Sequence, residues 1–315
     1  MKKTISYIKN HNKTVIFIFR IIFTVLIVWV IFLKVDIGKI SHSFAGADFL
    51  YLVPIILLRP LFIVVRGLKI WQILRLRQKK IPVRPIIGWF FVSCSIGVFT
   101  PAGLGDFSLA YFGKKYDIDT IHCITSVLLD KLVTLFITIS MAVIGMGLYY
   151  TADKKIIYWY IAIITFCPFI MMVGYKKRTS LAYFLEPRGS LFNALGTIKL
   201  FVVKHPTTFL LNLTLSLIQT FIVTAQLWLS FHFFRVATSF SDILWLSSIS
   251  RLANQLPVTI GGLGVYEGAV MIVFQKLNIS SENSLSAALV GRLITWFTSL
   301  VIVSWLLWLQ PKKVK

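Results

Sequence analysis

Acidic residues are scarce in this chain: 11 Asp and Glu stand against 33 Lys and Arg, giving a formal charge of +22. Charge of either sign is sparse as well, at 14% of 315 residues, while 57% are hydrophobic and the mean hydropathy is +0.82. That mix excludes an ordinary soluble globular domain and makes lipid the main solvent. Only three cysteines occur, Cys94, Cys123 and Cys167, each in an apolar stretch and none in a C-x-x-C pair. They read as small buried hydrophobes, with no disulfide framework. The five histidines (His11, His42, His122, His205 and His232) are too scattered to share a metal, and no H-E-x-x-H, Walker or G-x-S-x-G pattern is present. Neither a metalloenzyme nor a nucleoside triphosphatase is expected, and no cofactor.

What the chain has in abundance is apolar sequence in blocks of about 20 residues, the length a helix needs to cross a bilayer. The windows 14–33, 48–65, 121–149, 156–174, 207–231 and 284–309 read as six full spans. The first follows Lys2, Lys3, Lys9 and Lys13 and resembles a signal peptide cleaved near Ala45, but it is too long for an h-region and carries Arg20. It is read as a retained span, with Arg20 snorkelling to the inner interface.

The basic residues then set the topology. Residues 66–85 hold seven Lys or Arg and no acid, and residues 175–205 hold six, so both segments are expected in the cytoplasm. Three apolar stretches lie between them, and three crossings would put the two segments on opposite sides. One stretch must turn back. Residues 86–100 end in Pro101-Ala-Gly103-Leu-Gly105-Asp106, which cannot continue a helix and suits a re-entrant hairpin entered from the cytoplasm. Residues 240–256, interrupted by Arg251, end in Pro257 and continue through Gly261-Gly262-Leu-Gly264 to Glu267, which reads as a second hairpin entered from outside. The expected architecture is an all-α polytopic membrane protein forming a single membrane domain over 1–315. It has about six full spans and two re-entrant hairpins, with both termini in the cytoplasm and the plasma membrane as location.

The hairpins resemble each other. Each has an apolar helix, a Pro, a Gly-Leu-Gly, an acid, and then a span with a basic residue near its start. This is the pattern of an inverted repeat, with cores at about 86–149 and 240–309, and such repeats place transporter sites near the bilayer midplane. The glycines at 103, 105, 261, 262 and 264 let the backbone turn and present N–H groups to an anion, or alternatively allow close helix packing. Arg59, Asp130, Lys131, Arg251, Glu267 and Arg292 fall within or beside apolar segments, where an ionised group facing lipid costs at least about 2.5 kcal/mol. They are expected to face one another or water, either as a site or as ion pairs fixing helix register. Asp130 and Lys131, about 100° apart on a helix, need separate partners. Cross-repeat pairing is expected, of Asp130 or Asp106 with Arg292 and of Glu267 with Arg251 or Lys131.

The segment 66–85 is amphipathic. Arg66, Lys69, Trp71 and Arg75 fit either a helix lying in the inner headgroup layer or an ordinary positive-inside loop.

Arg66-Gly-Leu-Lys69-Ile-Trp71, the turn from Pro101 to Asp106, Asp130-Lys131, and the run from Leu256-Pro257 through Gly261-Gly-Leu-Gly264 to Glu267 together resemble the flippase-like transmembrane family found as the membrane half of lysylphosphatidylglycerol synthases. The resemblance covers nearly the whole chain and implies Asp106 and Glu267 as site residues. It departs from the pattern in two places: Lys131 stands where the family favours Arg, and Tyr266 where a basic residue is common. No soluble aminoacyltransferase domain is expected after Gln310, so the resemblance implies the membrane half alone. It implies movement of an anionic, aminoacylated or glycan-linked lipid between leaflets. Two alternatives remain open: a lysyltransferase-type enzyme of lysylphosphatidylglycerol synthesis, and an accessory scaffold in an envelope glycan system. The partners expected are membrane lipids and a separate aminoacyltransferase or glycosyltransferase. Nucleic acid is not expected, because the basic segments are short loops between spans. The oligomeric state is left open.

Overall fold

The structure, a computed structural model, describes residues 22–31, 33, 35–78, 81–98, 100–150, 200–255 and 258–308. These residues form ten helices, and no strand occurs among them. In chain order the helices are α1 (Ile22–Ile31), α2 (Ile37–Ala45), α3 (Leu52–Leu74), α4 (Val83–Val98), α5 (Leu109–Gly113), α6 (Thr120–Tyr150), α7 (Pro206–Phe233), α8 (Phe240–Asn254), α9 (Val265–Phe274) and α10 (Ser281–Trp308). Four stretches are long and apolar enough to cross a membrane: Phe49–Leu74, Thr120–Tyr150, Pro206–Phe233 and Ser281–Val301. They coincide with four of the six expected spans. The expected span at 156–174, the basic residues 175–199, Pro257 and residues 14–21 of the first window lie outside the described residues.

The short helix α2 is started by the Asp36 carboxylate, which accepts hydrogen bonds from the Gly38 and Lys39 amides at 2.8 and 3.4 Å. α3 carries Pro60 within its span, which membrane helices tolerate. This helix also corrects an expectation. The span at 48–65 does not stop before the basic cluster: it continues to Leu74 and takes Arg66 and Lys69 inside. The physical reason is that both cations point inward to carboxylates, which removes the cost of facing lipid. Arg66 and Lys69, expected among interfacial basic residues, thus pair with carboxylates inside the helical body. Trp71 and Arg75 do sit at the helix end, where the Arg75 guanidinium lies 4.7 Å from the indole centroid.

Two similar units build the fold. In each, a long helix is followed by a shorter one, a tight turn, a second short helix and another long helix: α3-α4-α5-α6 and α7-α8-α9-α10. The joins match closely. Trp71 Nε1 donates to the carbonyl of Ile81 and Trp228 Nε1 to that of Thr238, both at 2.9 Å and both ten residues ahead. Eleven residues beyond Asp106 and Glu267, the chain adopts left-handed backbone at Asp117 (φ 53°) and Asn278 (φ 55°), just before the long closing helix. Each unit also has its own apolar core. Ile63, Ile86, Phe90 and Leu109 belong to the first, and Phe231, Ile243, Val270 and Phe274 to the second.

The units then interlock. α3 lies along α7, α8 lies against α6 of the other unit, and α4 lies against α10. The turn of 101–108 touches that of 260–262. With 16 and 15 residues, α4 and α8 extend only about 24 Å, less than the hydrocarbon core of roughly 30 Å. Leu57, Leu61, Leu132, Leu210, Leu293 and Phe297 point outward, whereas Ser93, Ser126, Asn212, Ser216, Thr224 and Ser248 are buried. Such an exterior fits lipid, and the chain is a multi-pass membrane protein.

Two glycines allow close backbone approaches at the turns, Gly105 to α4 of its own unit and Gly261 to the other unit. A Cβ on Gly105 would stand 2.5 Å from the Ser93 carbonyl oxygen, and Gly261, at φ 59°, lies against the Val98 carbonyl of the other unit. Alanine at either position is expected to lower stability by about 1–3 kcal/mol, because backbone must move. Gly88→Ala, where a Cβ meets nothing within 4 Å, is expected to be neutral or slightly stabilising. Thermal unfolding of the purified variants measures both.

Candidate functional site

The touching turns and the helices around them border a half-open cavity of about 630 Å³. It is lined from both units, by α3, α6 and the first turn on one side and by α7, α8, α10 and the second turn on the other. Five cations, Arg59, Arg66, Lys131, Arg251 and Arg292, border it, against two carboxylates, Asp106 and Asp130.

Asp106 is placed by the 3-10 turn Pro101–Ser108 that follows α4. That turn is fixed by its own polar atoms: the Ser93 hydroxyl donates to the Gly105 carbonyl at 2.8 Å, and the Gly105 amide donates to Thr100 Oγ1 at 3.0 Å. The buried Oδ2 of Asp106 then meets two cations, Arg66 at 2.7 Å and Lys131 at 2.8 Å. One carboxylate therefore joins the hairpin to α3 and to α6.

Lys69 lies one turn beyond Arg66 and is wholly buried. Its ammonium donates to Thr134 Oγ1 at 2.7 Å and to Gln219 Oε1 at 2.9 Å. It also sits 3.0 Å from Asp130 Oδ1, as an ion pair whose angle falls short of a hydrogen bond. A residue expected at the membrane surface is thus the innermost cation of the group.

In the second unit Glu267 stands at the start of α9. Its Oε2 accepts the Gly264 amide at 2.8 Å, and its Oε1 receives Arg292 Nε in a short charged contact. The other guanidinium nitrogens of Arg292 donate to the carbonyls of Gly261 at 2.9 Å and Gly262 at 3.2 Å. Those carbonyls are turned toward Arg292 by a run of positive φ at Gly261, Gly262 and Gly264. The two clamps share a register: Asp106 to Lys131 and Glu267 to Arg292 both span 25 residues.

The pairing differs from the expected one. Asp106, Asp130 and Glu267 each pair within their own unit, and none of the four ion pairs among the described residues crosses from one unit to the other. The reason is local: Asp106 and Glu267 stand at turns that fold back onto the long closing helix of their own unit, bringing Lys131 and Arg292 into reach, and Asp130 on α6 meets Lys69 on α3 of the same unit. Arg251 pairs with no carboxylate among the described residues. It donates to Ser248 Oγ at 2.6 Å and the Thr220 carbonyl at 3.3 Å, and its Nε is buried without a partner. Gly103 lies within the first turn.

Several lining residues escaped the reading from sequence, notably Thr220, Gln219 and Trp296. Arg59 was counted among the charges in apolar sequence but not placed in the site. It lies two turns before Arg66 on the same face of α3, and that i, i+7 spacing was the available signal. Its guanidinium carbon is 5.2 Å from the Phe62 ring centroid, and its Nε is buried without a hydrogen bond. Among the described residues no cluster of His, Cys, Asp and Glu could hold a metal ion.

A family model described as Lysylphosphatidylglycerol synthase TM region matches residues 17–302, and the chain belongs to that family. No curated protein matches it.

Asp130→Asn is expected to destabilise the protein by about 3–5 kcal/mol, since it leaves the buried Lys69 ammonium without a counter-charge. Adding Lys69→Met to Asp130→Asn should recover much of that loss. Unfolding midpoints of the single and double variants decide the matter, and an Asp130→Asn protein as stable as the parent would contradict the pairing.

Proposed function

We propose that this member of the lysylphosphatidylglycerol synthase transmembrane family moves a phosphate-bearing lipid between leaflets, passing the headgroup through the cavity between the two turns. The observation that carries the reading is the cavity itself: about 630 Å³ bordered by five cations inside an otherwise apolar helical body. A volume of this size suits a small-molecule headgroup.

A phosphate headgroup resists crossing because an ion loses its hydration in hydrocarbon, at a cost of tens of kcal/mol for an isolated charge. Fixed guanidinium and ammonium groups replace that hydration with charge-assisted hydrogen bonds, which Arg supplies in bidentate form. The acyl or prenyl chains need no such help, since they remain in lipid. In this reading α4-α5 and α8-α9 are re-entrant hairpins entered from opposite faces, both termini lie in the cytoplasm, and the plasma membrane is the site of action. The acids Asp106 and Glu267 hold the cations in place and are positioning residues. Because the four ion pairs stay within units, the units could rock against each other without breaking one, which suits alternating access by a pair of repeats.

The family description favours a second reading, a membrane component of lysylphosphatidylglycerol synthesis acting beside a separate aminoacyltransferase. It shares the cavity and differs in the lipid carried. A partner glycosyltransferase would instead point to a glycan-linked lipid.

Reconstitution in vesicles tests translocation directly. The chain is expected to accelerate leaflet exchange of a fluorescent phosphate-bearing lipid, and Glu267→Gln or Asp106→Asn to slow it at least about ten-fold. No acceleration with anionic, aminoacylated or diphosphate lipids would exclude a translocase. Impermeant thiol labelling of Leu104→Cys and Leu263→Cys tests the hairpins: both positions should react poorly, and ready labelling of both from one side would refute the inverted arrangement.

A further inference from the structure

Four of the five cations that border the cavity have hydrogen-bond acceptors in the protein, and the fifth, Arg59, has none among the described residues. Arg66 and Lys131 hold Asp106, and Arg292 holds Glu267 and two glycine carbonyls. Arg251 donates to Ser248 Oγ at 2.6 Å and to the Thr220 carbonyl at 3.3 Å, the second of which ties α8 to α7. Arg59 forms no salt bridge and no hydrogen bond among the described residues, and its Nε is buried. Its guanidinium rests beside the ring of Phe62, with the centroid 5.2 Å away.

Depth makes this isolation unfavourable. Arg59 is the eleventh residue of the 26-residue span Phe49–Leu74. At about 1.5 Å per residue it lies roughly 15 Å from the nearer end, the middle of a hydrocarbon core of roughly 30 Å. That is too deep to snorkel, and facing lipid would be strongly disfavoured. The side chain borders the cavity instead. A guanidinium kept there without a carboxylate is a fixed charge whose stabilising partner arrives only with a ligand.

The surroundings narrow the ligand. The Phe62 ring also lies 5.7 Å from the Arg66 guanidinium carbon, so Arg59 stands next to the Asp106 clamp without joining it. From the second unit, the Gln226 amide nitrogen donates to the Ile55 carbonyl at 3.3 Å, one turn before Arg59 on the same face of α3, and Gln226 borders the cavity too. The neighbour across the seam is therefore a neutral amide. One guanidinium without an acceptor matches one negative charge, and its fork suits the two free oxygens of a phosphodiester. Resting on the translocation reading above, we infer that Arg59 receives the phosphodiester of the lipid headgroup at the middle of its passage. Arg59 is then the residue that selects a phosphate-bearing lipid over a neutral one, while the cations of the carboxylate clamps hold the walls.

Titration calorimetry on the purified full chain in detergent tests the inference with three probes: dioctanoyl phosphatidylglycerol, dioctanoylglycerol, which lacks the phosphate, and inorganic phosphate, which lacks the chains. The parent is expected to bind the phosphatidylglycerol at least about ten-fold more tightly than either of the others. Arg59→Gln should weaken that binding about ten-fold and leave dioctanoylglycerol unchanged. Arg59→Lys should fall between the two, because it keeps the charge and loses the fork. Without lipid, Arg59→Gln should unfold at or above the parent's midpoint, since it removes an unpaired buried charge. Arg292→Gln should unfold lower, since it strips Glu267 of its partner. A folded Arg59→Gln chain that binds phosphatidylglycerol like the parent overturns the inference, as does equal binding of dioctanoylglycerol by the parent. An Arg59→Gln chain that unfolds well below the parent, or does not fold, assigns Arg59 to holding the fold and overturns it as well. Inorganic phosphate binding as tightly as the lipid overturns the lipid assignment. Leaflet exchange is scored separately: exchange that Arg59→Gln leaves intact sinks this inference and spares translocation, whereas Arg59-dependent binding without any exchange by the parent does the reverse.

Discussion

The rest of the structure depends on a single carboxylate oxygen. Oδ2 of Asp106 holds Arg66 and Lys131 within 2.8 Å, and in doing so ties the first turn to the helices before and after it. Hydrocarbon makes this contact compulsory, because neither cation could face lipid without a cost of about 2.5–3.5 kcal/mol, and the acid could not be buried alone. Once the trio forms, α4 ends at Val98 and the turn after it is held against α3 and α6. The chain turns sharply at Pro101–Ser108 and continues through α5 into α6. Glu267 and Arg292 impose the same constraint on the second unit, with Arg292 also holding the glycine carbonyls of its turn.

Two such units cannot complete their surfaces separately. The short helices α4 and α8 each lie against the long closing helix of the other unit, and α3 meets α7 along the seam. Apolar packing and backbone contact hold the units together, while ions hold each unit internally. Gly145 on α6 shows how close the seam is, since a Cβ there would stand 2.8 Å from the Trp245 carbonyl oxygen on α8. Side chains such as Gln219 do cross: it accepts from Lys69 and so couples α7 to the innermost ion pair. This division of labour leaves a polar cavity at the seam, where the two turns meet and five cations line the wall.

Much of the architecture was legible in the sequence because membranes make the code simple. Apolar length gives the spans at Phe49–Leu74, Thr120–Tyr150, Pro206–Phe233 and Ser281–Val301, and the interruptions at 101–106 and 257–264 announce turns that no continuous helix could contain. The basic cluster at 66–85 misled for an instructive reason. Counting Lys and Arg assigns a loop to one side of the membrane but says nothing of residues whose partners lie within it, so Arg66 and Lys69 were given to the surface. The partners themselves follow from a quantity that the order of motifs does not express, the spacing of 25 residues from acid to base that the two units share.

By itself the sequence determined that the chain lives in lipid, where its long spans fall, and that two related turns carry acids between them. Those are consequences of hydropathy and backbone restriction, which act locally and are written in order along the chain. Only the tertiary structure decided which ions meet, that Lys69 is buried and Arg251 has no carboxylate partner among the described residues, and that the two turns border one cavity. Those outcomes depend on which helix faces which, and that is settled by packing between units far apart in sequence.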